Sequence, residues 1–284
     1  RLQGDWSSDV CSSDLEYFDF ARKMEDIFNP FSLINALDDR ELRNYWASSG
    51  ATSLLPKFVD DMEMKMEYFD HCFIERDTLE TSDVVNGGAE LFLYQSGYLT
   101  IKGYDDGVYI LGFPNFEVRK ALYSVVVPAL TMKSNSEVVS AQSFLRKMMQ
   151  DGNTAEAKKA LKALIADVPY SNKKMASMDM EERYRLIMST IFRALGFRVE
   201  VERMLATGRI DMIVEVPSFI YALELKLSNN GGISAAESQI KEKSYTEPFK
   251  ADKRKVIALA VELDETGKGL IDWKEVDEIG RAHV

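Results

Sequence analysis

A predicted β-hairpin around Pro217-Ser218 constrains the fold of this chain more than any other feature. A run rich in Val and Ile leads from Asp211 to Pro217, and a second apolar run after Ser218 leads to Glu224. If Pro217 and Ser218 are the two loop residues, counting outward along antiparallel strands places Asp211 opposite Glu224. Such partners have Cβ atoms about 4.5–5.5 Å apart. The sequence therefore predicts two carboxylates that face each other at one end of a hairpin.

The charges at this end of the hairpin indicate a metal site. Side chains alternate between the two faces of a strand, so Lys226 lies on the same face as Glu224. Two facing carboxylates repel each other unless a cation lies between them, and hard divalent ions prefer oxygen ligands. We therefore expect Asp211 and Glu224 to share a metal ion, with the ammonium group of Lys226 beside it.

The two termini do not resemble parts of a folded protein. Asp9–Leu15 and Glu278–Val284 are encoded by opposite strands of one short oligonucleotide, if suitable codons are chosen, and that oligonucleotide resembles a sequencing adapter. We expect residues 1–15 and 278–284 to be adapter-like artefacts and exclude them from the prediction of the fold. The native reading frame is then expected to be cut at both ends.

The rest of the chain contains almost no cysteine or histidine. Without the termini, His71 and Cys72 are the only residues of their types. A disulfide framework and a zinc site of the Cys/His kind are therefore excluded. We expect both residues on a helix surface or at the edge of the core. A free cysteine suits a reducing cytosol, so the expected location is cytoplasmic.

Charge and hydropathy limit the partners. The net charge is −11, and an acidic protein binds phosphates poorly by charge alone. A carboxylate metal site itself contributes negative charge that a bound cation would cancel. No apolar run approaches the roughly 20 residues of a membrane-spanning helix, so no membrane partner is expected.

The first half of the chain is predicted to be mostly helical, with one hairpin. A helix begins after Asn29-Pro30. Another helix, Ala89–Gln95, precedes a hairpin with strands at residues 98–102 and 108–111. This order is typical of a winged-helix-like unit. Residues 117–165 are predicted to be helical throughout.

The second half is predicted to be an α/β domain. A helix over residues 178–195 ends at Gly196, which suits a helix C-terminus. The remaining predicted elements are strands at about 197–202, 211–216 and 219–227, a helix at 234–245 and a strand at 255–261. This αβββαβ order predicts a mixed sheet.

Short motifs in both halves resemble known families. The motifs of the second half resemble the PD-(D/E)XK nuclease superfamily, in particular a bacterial branch fused to an AAA-type ATPase; they are Gly208–Asp211, Glu224–Lys226, Gln239–Lys241, Tyr245 and Glu247–Phe249. The motifs of the first half resemble the C-terminal lid of that ATPase; they are Asn29–Ser32, Asn44–Trp46, Gln95–Leu99 and Leu111–Asn115.

The resemblance implies a domain plan. Residues 16–125 would form the ATPase-like, winged-helix-like lid, residues 126–168 a helical connector, and residues 169–277 the nuclease-like domain with a restriction-endonuclease-like sheet. The phosphate-binding GxxxxGK[ST] motif is absent from this chain. ATP would therefore enter only through a missing upstream domain.

The resemblance also assigns roles to residues. Asp211, Glu224 and the backbone carbonyl of Leu225 would bind Mg²⁺ or Mn²⁺, and Lys226 would orient the attacking water. Glu182 would be the acid of the first helix, although a favourable interaction with the helix dipole explains it equally. Gln239 would be the polar residue of the following helix, or simply an exposed one. Glu202 also matches the branch, with a structural role at a strand end as the alternative.

The implied activity is metal-dependent hydrolysis of phosphodiester bonds in nucleic acid, DNA rather than RNA, under the control of the ATPase. The alternative is a catalytically inactive nuclease fold that binds nucleic acid or protein. Self-association of the chain is left open.

Overall fold

A computed structural model of the protein describes residues 16–18, 26–28, 30–40, 66–79, 88–166, 178–205 and 208–277. The chain divides into two compact units, residues 1–126 and 127–284. Across the described ranges, every helix is too short or too polar to cross a membrane. The adapter-like ends and the Asn44–Trp46 motif lie outside the described residues.

In its described residues, the first unit combines short helices with two small sheets. Its first elements are β1 (Glu16–Phe18), β2 (Asp26–Phe28), α1 (Pro30–Asp39), β3 (Cys72–Glu75) and α2 (Arg76–Leu79). They are followed by α3 (Gly88–Gln95), β4 (Thr100–Asp105) and β5 (Val108–Gly112). Strands β1 and β2 pair with each other, and the larger sheet has the order β3-β5-β4.

The predicted hairpin of this unit is confirmed. Strands β4 and β5 pair antiparallel, and their turn contains Asp106 and Gly107, both at positive φ, as the tightest hairpin turns require. Strand β3 was not predicted. Cys72 lies on it and is fully buried, so the expectation of a helix surface or core edge was wrong. The winged-helix character of this unit stays a prediction.

Three consecutive helices occupy the stretch predicted to be helical. They are α4 (Phe116–Thr131), α5 (Asn135–Gln150) and α6 (Thr154–Ile165). Ser134 and Glu137 cap the start of α5 reciprocally, a motif that satisfies two backbone N–H groups at a helix start. Helix α4 spans the division between the two units.

The second unit contains the predicted αβββαβ order, followed by one further strand. Its elements are α7 (Met180–Ala194), β6 (Arg198–Leu205), β7 (Gly208–Glu215), β8 (Phe219–Leu227), α8 (Gly232–Lys243), β9 (Lys255–Leu263) and β10 (Leu270–Val276). Gly196 follows α7 with φ +82°, so the predicted helix stop is confirmed. Strand β10 was missed because charged residues interrupt its apolar positions.

These strands form one mixed sheet of order β10-β9-β8-β7-β6. Strands β8 and β9 run parallel, and the other neighbours run antiparallel. An apolar cluster joins the sheet to α8 and the segment after it; it includes Ile213, Ala222, Ala236, Ile240, Tyr245, Ala258 and Ala260. This packing brings the segment after α8 close to the end of β8.

The helical hairpin formed by α5 and α6 packs on the same sheet. The indole N–H of Trp273 donates to the carbonyl of Thr154 at 3.0 Å, and the hydroxyl of Tyr221 donates to the carbonyl of Met149 at 2.6 Å. Both bonds are buried. Helices α5 and α6 are therefore part of the packed body of the second unit.

Candidate active site

The hairpin between β7 and β8 has the predicted register. The N–H of Val216 donates to the carbonyl of Phe219 at 2.9 Å, and the paired residues run outward to Met212 and Leu223. Asp211 and Glu224 occupy the next positions. The two-residue loop therefore sets the register that places Asp211 opposite Glu224, as the sequence predicted.

Asp211 interrupts the regular pairing of its strand. Its Oδ2 atom accepts a hydrogen bond from the backbone N–H of Leu225 at 2.9 Å, and its side chain is almost fully buried. On the other side of β7, the β6–β7 register places Glu202 opposite Asp211. Glu202 has φ +54°, in the left-handed region that residues with side chains seldom adopt. Three acids, Glu202, Asp211 and Glu224, thus lie at one level of three adjacent strands.

Glu224 and Lys226 form a tight ion pair. Lys226 Nζ lies 2.6 Å from Glu224 Oε1 and 3.2 Å from the carbonyl oxygen of Leu225. Burial, together with the charge of Asp211, raises the pKa of Glu224 to about 7. Burial acts to lower the pKa of Lys226, but its hydrogen bond to Glu224 and the charges of Glu224 and Asp211 outweigh burial and raise it. Lys226 is therefore a cation at neutral pH.

Tyr245 holds the second oxygen of Glu224. Its hydroxyl lies 2.9 Å from Glu224 Oε2 and 2.7 Å from the carbonyl oxygen of Arg209, and it accepts a hydrogen bond from Gln239 Nε2 at 2.9 Å. The hydroxyl has one proton, so it donates to one of these two oxygens at a time. Gln239 thus reaches the carboxylate through Tyr245, for which no role in the site was predicted.

Helix α7 contributes two charged side chains that were not predicted to belong to the site. Arg185 Nη1 lies 3.6 Å from Asp211 Oδ1 and 4.0 Å from Glu181 Oε1. Burial, and then the charge of Asp211, raises the pKa of Glu181. Glu181 and Arg185 are four residues apart and therefore lie on one side of the helix; this spacing was the available signal in the sequence.

The structure places Glu181, the residue next to the predicted Glu182, beside the site. Successive helical residues are rotated by about 100°, so only one of two neighbouring acids faces Asp211. Glu182 donates its backbone N–H to Asp179 Oδ1 at 3.4 Å, where Asp179 caps the start of the helix. Its position in the first helical turn agrees with the helix-dipole alternative.

The oxygen atoms of the site suit a hard divalent cation. Two carboxylates and the carbonyl of Leu225 lie together where the pairing of β7 and β8 stops, and the charge of Asp211 adds to burial in raising the pKa of Glu224. In the part of the chain that the structure describes, no group of three or more His, Cys, Asp or Glu side chains is arranged to hold a metal.

Comparison with known proteins agrees with this geometry. Residues 179–273 match the family model of the PD-(D/E)XK nuclease superfamily. Over 263 residues the chain is 25% identical to a protein of Azotobacter chroococcum mcd 1, described as an uncharacterized protein in the vnfD 5′ region. The alignment covers 88% of this chain and 49% of that relative, so the chain spans about half the relative's length. No solved structure matches the chain.

Proposed function

We propose, from the match of residues 179–273 to the PD-(D/E)XK nuclease superfamily, that the chain hydrolyses phosphodiester bonds in nucleic acid with the help of a divalent cation. The observation that supports this most directly is the buried pair Asp211 and Glu224 with Lys226 Nζ 2.6 Å from Glu224. Buried carboxylates of this kind are rare unless paired or bound to a metal.

Each residue of the site has a distinct role in the proposed reaction. Asp211, Glu224 and the carbonyl of Leu225 would hold Mg²⁺ or Mn²⁺, which polarises a phosphoryl group and lowers the pKa of a bound water. Lys226 keeps its proton at neutral pH because its pKa is raised, so it orients water and stabilises developing negative charge on the phosphate rather than acting as a general base. Tyr245 orients Glu224.

The finer assignments are also part of the proposal. DNA, rather than RNA, is the proposed substrate, and an ATPase domain outside this chain is the proposed regulator. The motifs of the first half, Asn29–Ser32, Gln95–Leu99 and Leu111–Asn115, support the link to an ATPase.

The test is metal-dependent cleavage by the 284-residue chain. Single- and double-stranded DNA and RNA would be incubated with Mg²⁺, Mn²⁺ or EDTA. We expect cleavage only with metal, and its loss in Asp211→Asn and in Lys226→Met. Lys250→Met is the matched control, since Lys250 is exposed and pairs with Glu247. Cleavage that persists in Asp211→Asn, or no cleavage of any substrate, would contradict the proposal.

A second candidate is a nuclease fold that binds nucleic acid or protein without cutting. The observation that favours it is that side-chain cations of the chain already accompany both carboxylates: Lys226 at Glu224 and Arg185 at Asp211. Calorimetry with Mn²⁺ separates the two candidates. The nuclease binds Mn²⁺ and loses that binding in Asp211→Asn, whereas the inactive module binds none.

A further inference from the structure

Arg185 has contacts with three acids from three different elements. Its guanidinium lies 3.6 Å from Asp211 on β7, 3.3 Å from Glu202 on β6 and 4.0 Å from Glu181 on its own helix. The side chain is only 13% exposed. A cation in this position neutralises several carboxylates at once.

The contact with Asp211 differs from the other contact of that carboxylate. Asp211 Oδ2 is held by the backbone N–H of Leu225, whereas Oδ1 faces Arg185 at a distance too long for a good hydrogen bond. The positive charge of Arg185 thus offsets the negative charge on Oδ1 without a hydrogen bond of fixed geometry. The interaction is electrostatic, and another cation can replace it without breaking a short hydrogen bond.

Glu202 forms a separate ion pair with the same guanidinium. It lies closer to Arg185 than Asp211 does, and it also binds Arg209 at 3.0 Å. Its positive φ is a strained conformation in the interior of a strand. Such strain persists where the surroundings impose it, and it is concentrated at functional sites.

We propose that Arg185 is a positioning residue that neutralises Asp211 in the metal-free protein, and that Glu202 retains the guanidinium when a divalent cation takes over that role. This inference rests on the proposed function, because it requires a cation at Asp211. Arg185 then competes with the cation for Asp211, and Glu202 weakens this competition because it holds the guanidinium. The guanidinium therefore offsets the repulsion between these acids in the folded protein before a metal binds.

The test is Mn²⁺ binding by calorimetry, which does not depend on catalysis. We expect Arg185→Gln to bind Mn²⁺ roughly tenfold more tightly than the wild type, because a competing positive charge next to a ligand has been removed. Arg209→Gln is the matched control: Arg209 shares the partner Glu202 but is half exposed, and we expect its effect to be small. Equal or weaker binding by Arg185→Gln would overturn the proposal.

A double-mutant cycle tests the role of Glu202. Glu202→Gln is expected to weaken Mn²⁺ binding in the wild type and to have little effect in Arg185→Gln, because Glu202 acts through Arg185. Additive effects would mean that Glu202 acts on the metal by its charge alone, and would overturn its assigned role.

Thermal unfolding separates this role from a merely structural one. In EDTA, Arg185→Gln should unfold at a lower temperature than the wild type, and saturating Mn²⁺ should narrow the difference. A difference that is the same with and without Mn²⁺ would contradict the proposal. If neither protein binds Mn²⁺, the proposed metal site fails, and this inference fails with it. If both bind it equally, only the role of Arg185 fails.

Discussion

Lys226 Nζ and Glu224 Oε1 lie 2.6 Å apart; the side chain of Glu224 is fully buried and that of Lys226 is 15% exposed. A buried ion pair is seldom a net source of stability, because both charges lose their hydration. Here Asp211 adds a second negative charge beside the pair and contributes to the raised pKa of Glu224. Stability alone therefore does not explain the pair, and the proposed function assigns it to a cation site.

The first prediction concerns the protonation of Glu224 in metal-free protein. Burial and the charge of Asp211 raise its pKa from 4.5 to about 7, so we expect its carboxyl-carbon NMR signal to titrate near pH 7 in EDTA. Asp211→Asn should lower this midpoint, because one cause of the shift is removed. A midpoint below pH 5 in the wild type would contradict the described environment.

The same shift predicts how stability depends on pH. Between pH 4.5 and about 7 the folded protein keeps a proton on Glu224 that the unfolded chain has lost, so this group's contribution to the free energy of unfolding falls as pH rises through that range. Urea unfolding in EDTA should therefore show the wild type losing stability relative to Glu224→Gln from pH 4.5 to 7. A constant difference would argue against the shift.

Neighbouring acids on α7 provide a matched pair of variants. Glu181 interacts with Asp211, Lys226 and Arg185, whereas the backbone of Glu182 takes part in capping the helix. We expect Glu181→Gln to reduce the rate of metal-dependent cleavage by roughly ten- to a hundredfold. Glu182→Gln should leave it nearly unchanged. The reverse result, in single-turnover assays, would favour Glu182, the residue selected from the sequence.

Comparison of two buried tyrosines separates the role of Tyr245 in cleavage from its contribution to the stability of the fold. Tyr245 binds Glu224, while Tyr221 binds the carbonyl of Met149. Each Tyr→Phe variant should lose about 1 kcal/mol of unfolding free energy, since each loses a buried hydrogen bond. Only Tyr245→Phe should also slow cleavage. Equal cleavage rates for the two variants would show that Tyr245 has no role beyond packing.

The packing of α5 and α6 predicts the minimal folded fragment. A fragment of residues 133–277 retains the bonds from Trp273 to Thr154 and from Tyr221 to Met149, and a fragment of residues 179–277 loses both. Because each buried hydrogen bond contributes about 1 kcal/mol, and apolar contacts are lost with them, we expect the shorter fragment to be less stable by more than about 2 kcal/mol. Urea unfolding monitored by circular dichroism measures the difference. Equal midpoints would mean that the helical hairpin is dispensable.

Local signals predicted the elements of the second unit well. The loop at Pro217-Ser218 specifies the register of β7 and β8, so Asp211 and Glu224 were brought together by counting alone. Gly196 predicted the end of α7. Strand β3 was missed because it is short and its pairing partner β5 is distant in the sequence, and β10 was missed because charged residues interrupt its apolar positions.

Other parts of the site depend on the tertiary structure. The choice between Glu181 and Glu182 depends on the rotation of α7 about its axis, which is set by packing against the sheet. Arg185 becomes a site residue only because β6 and β7 bring Glu202 and Asp211 within its reach.

The sequence alone determined the hairpin, its register and the carboxylate pair of Asp211 and Glu224, because these follow from backbone pairing between near neighbours. Only the tertiary structure decided which charges surround that pair. Arg185 and Glu181 are contributed by α7 and Tyr245 by the segment after α8, and the packing of these segments on the sheet depends on apolar contacts between residues far apart in the chain. Burial by those contacts also raises the pKa of Glu224, an effect that residue order alone does not encode.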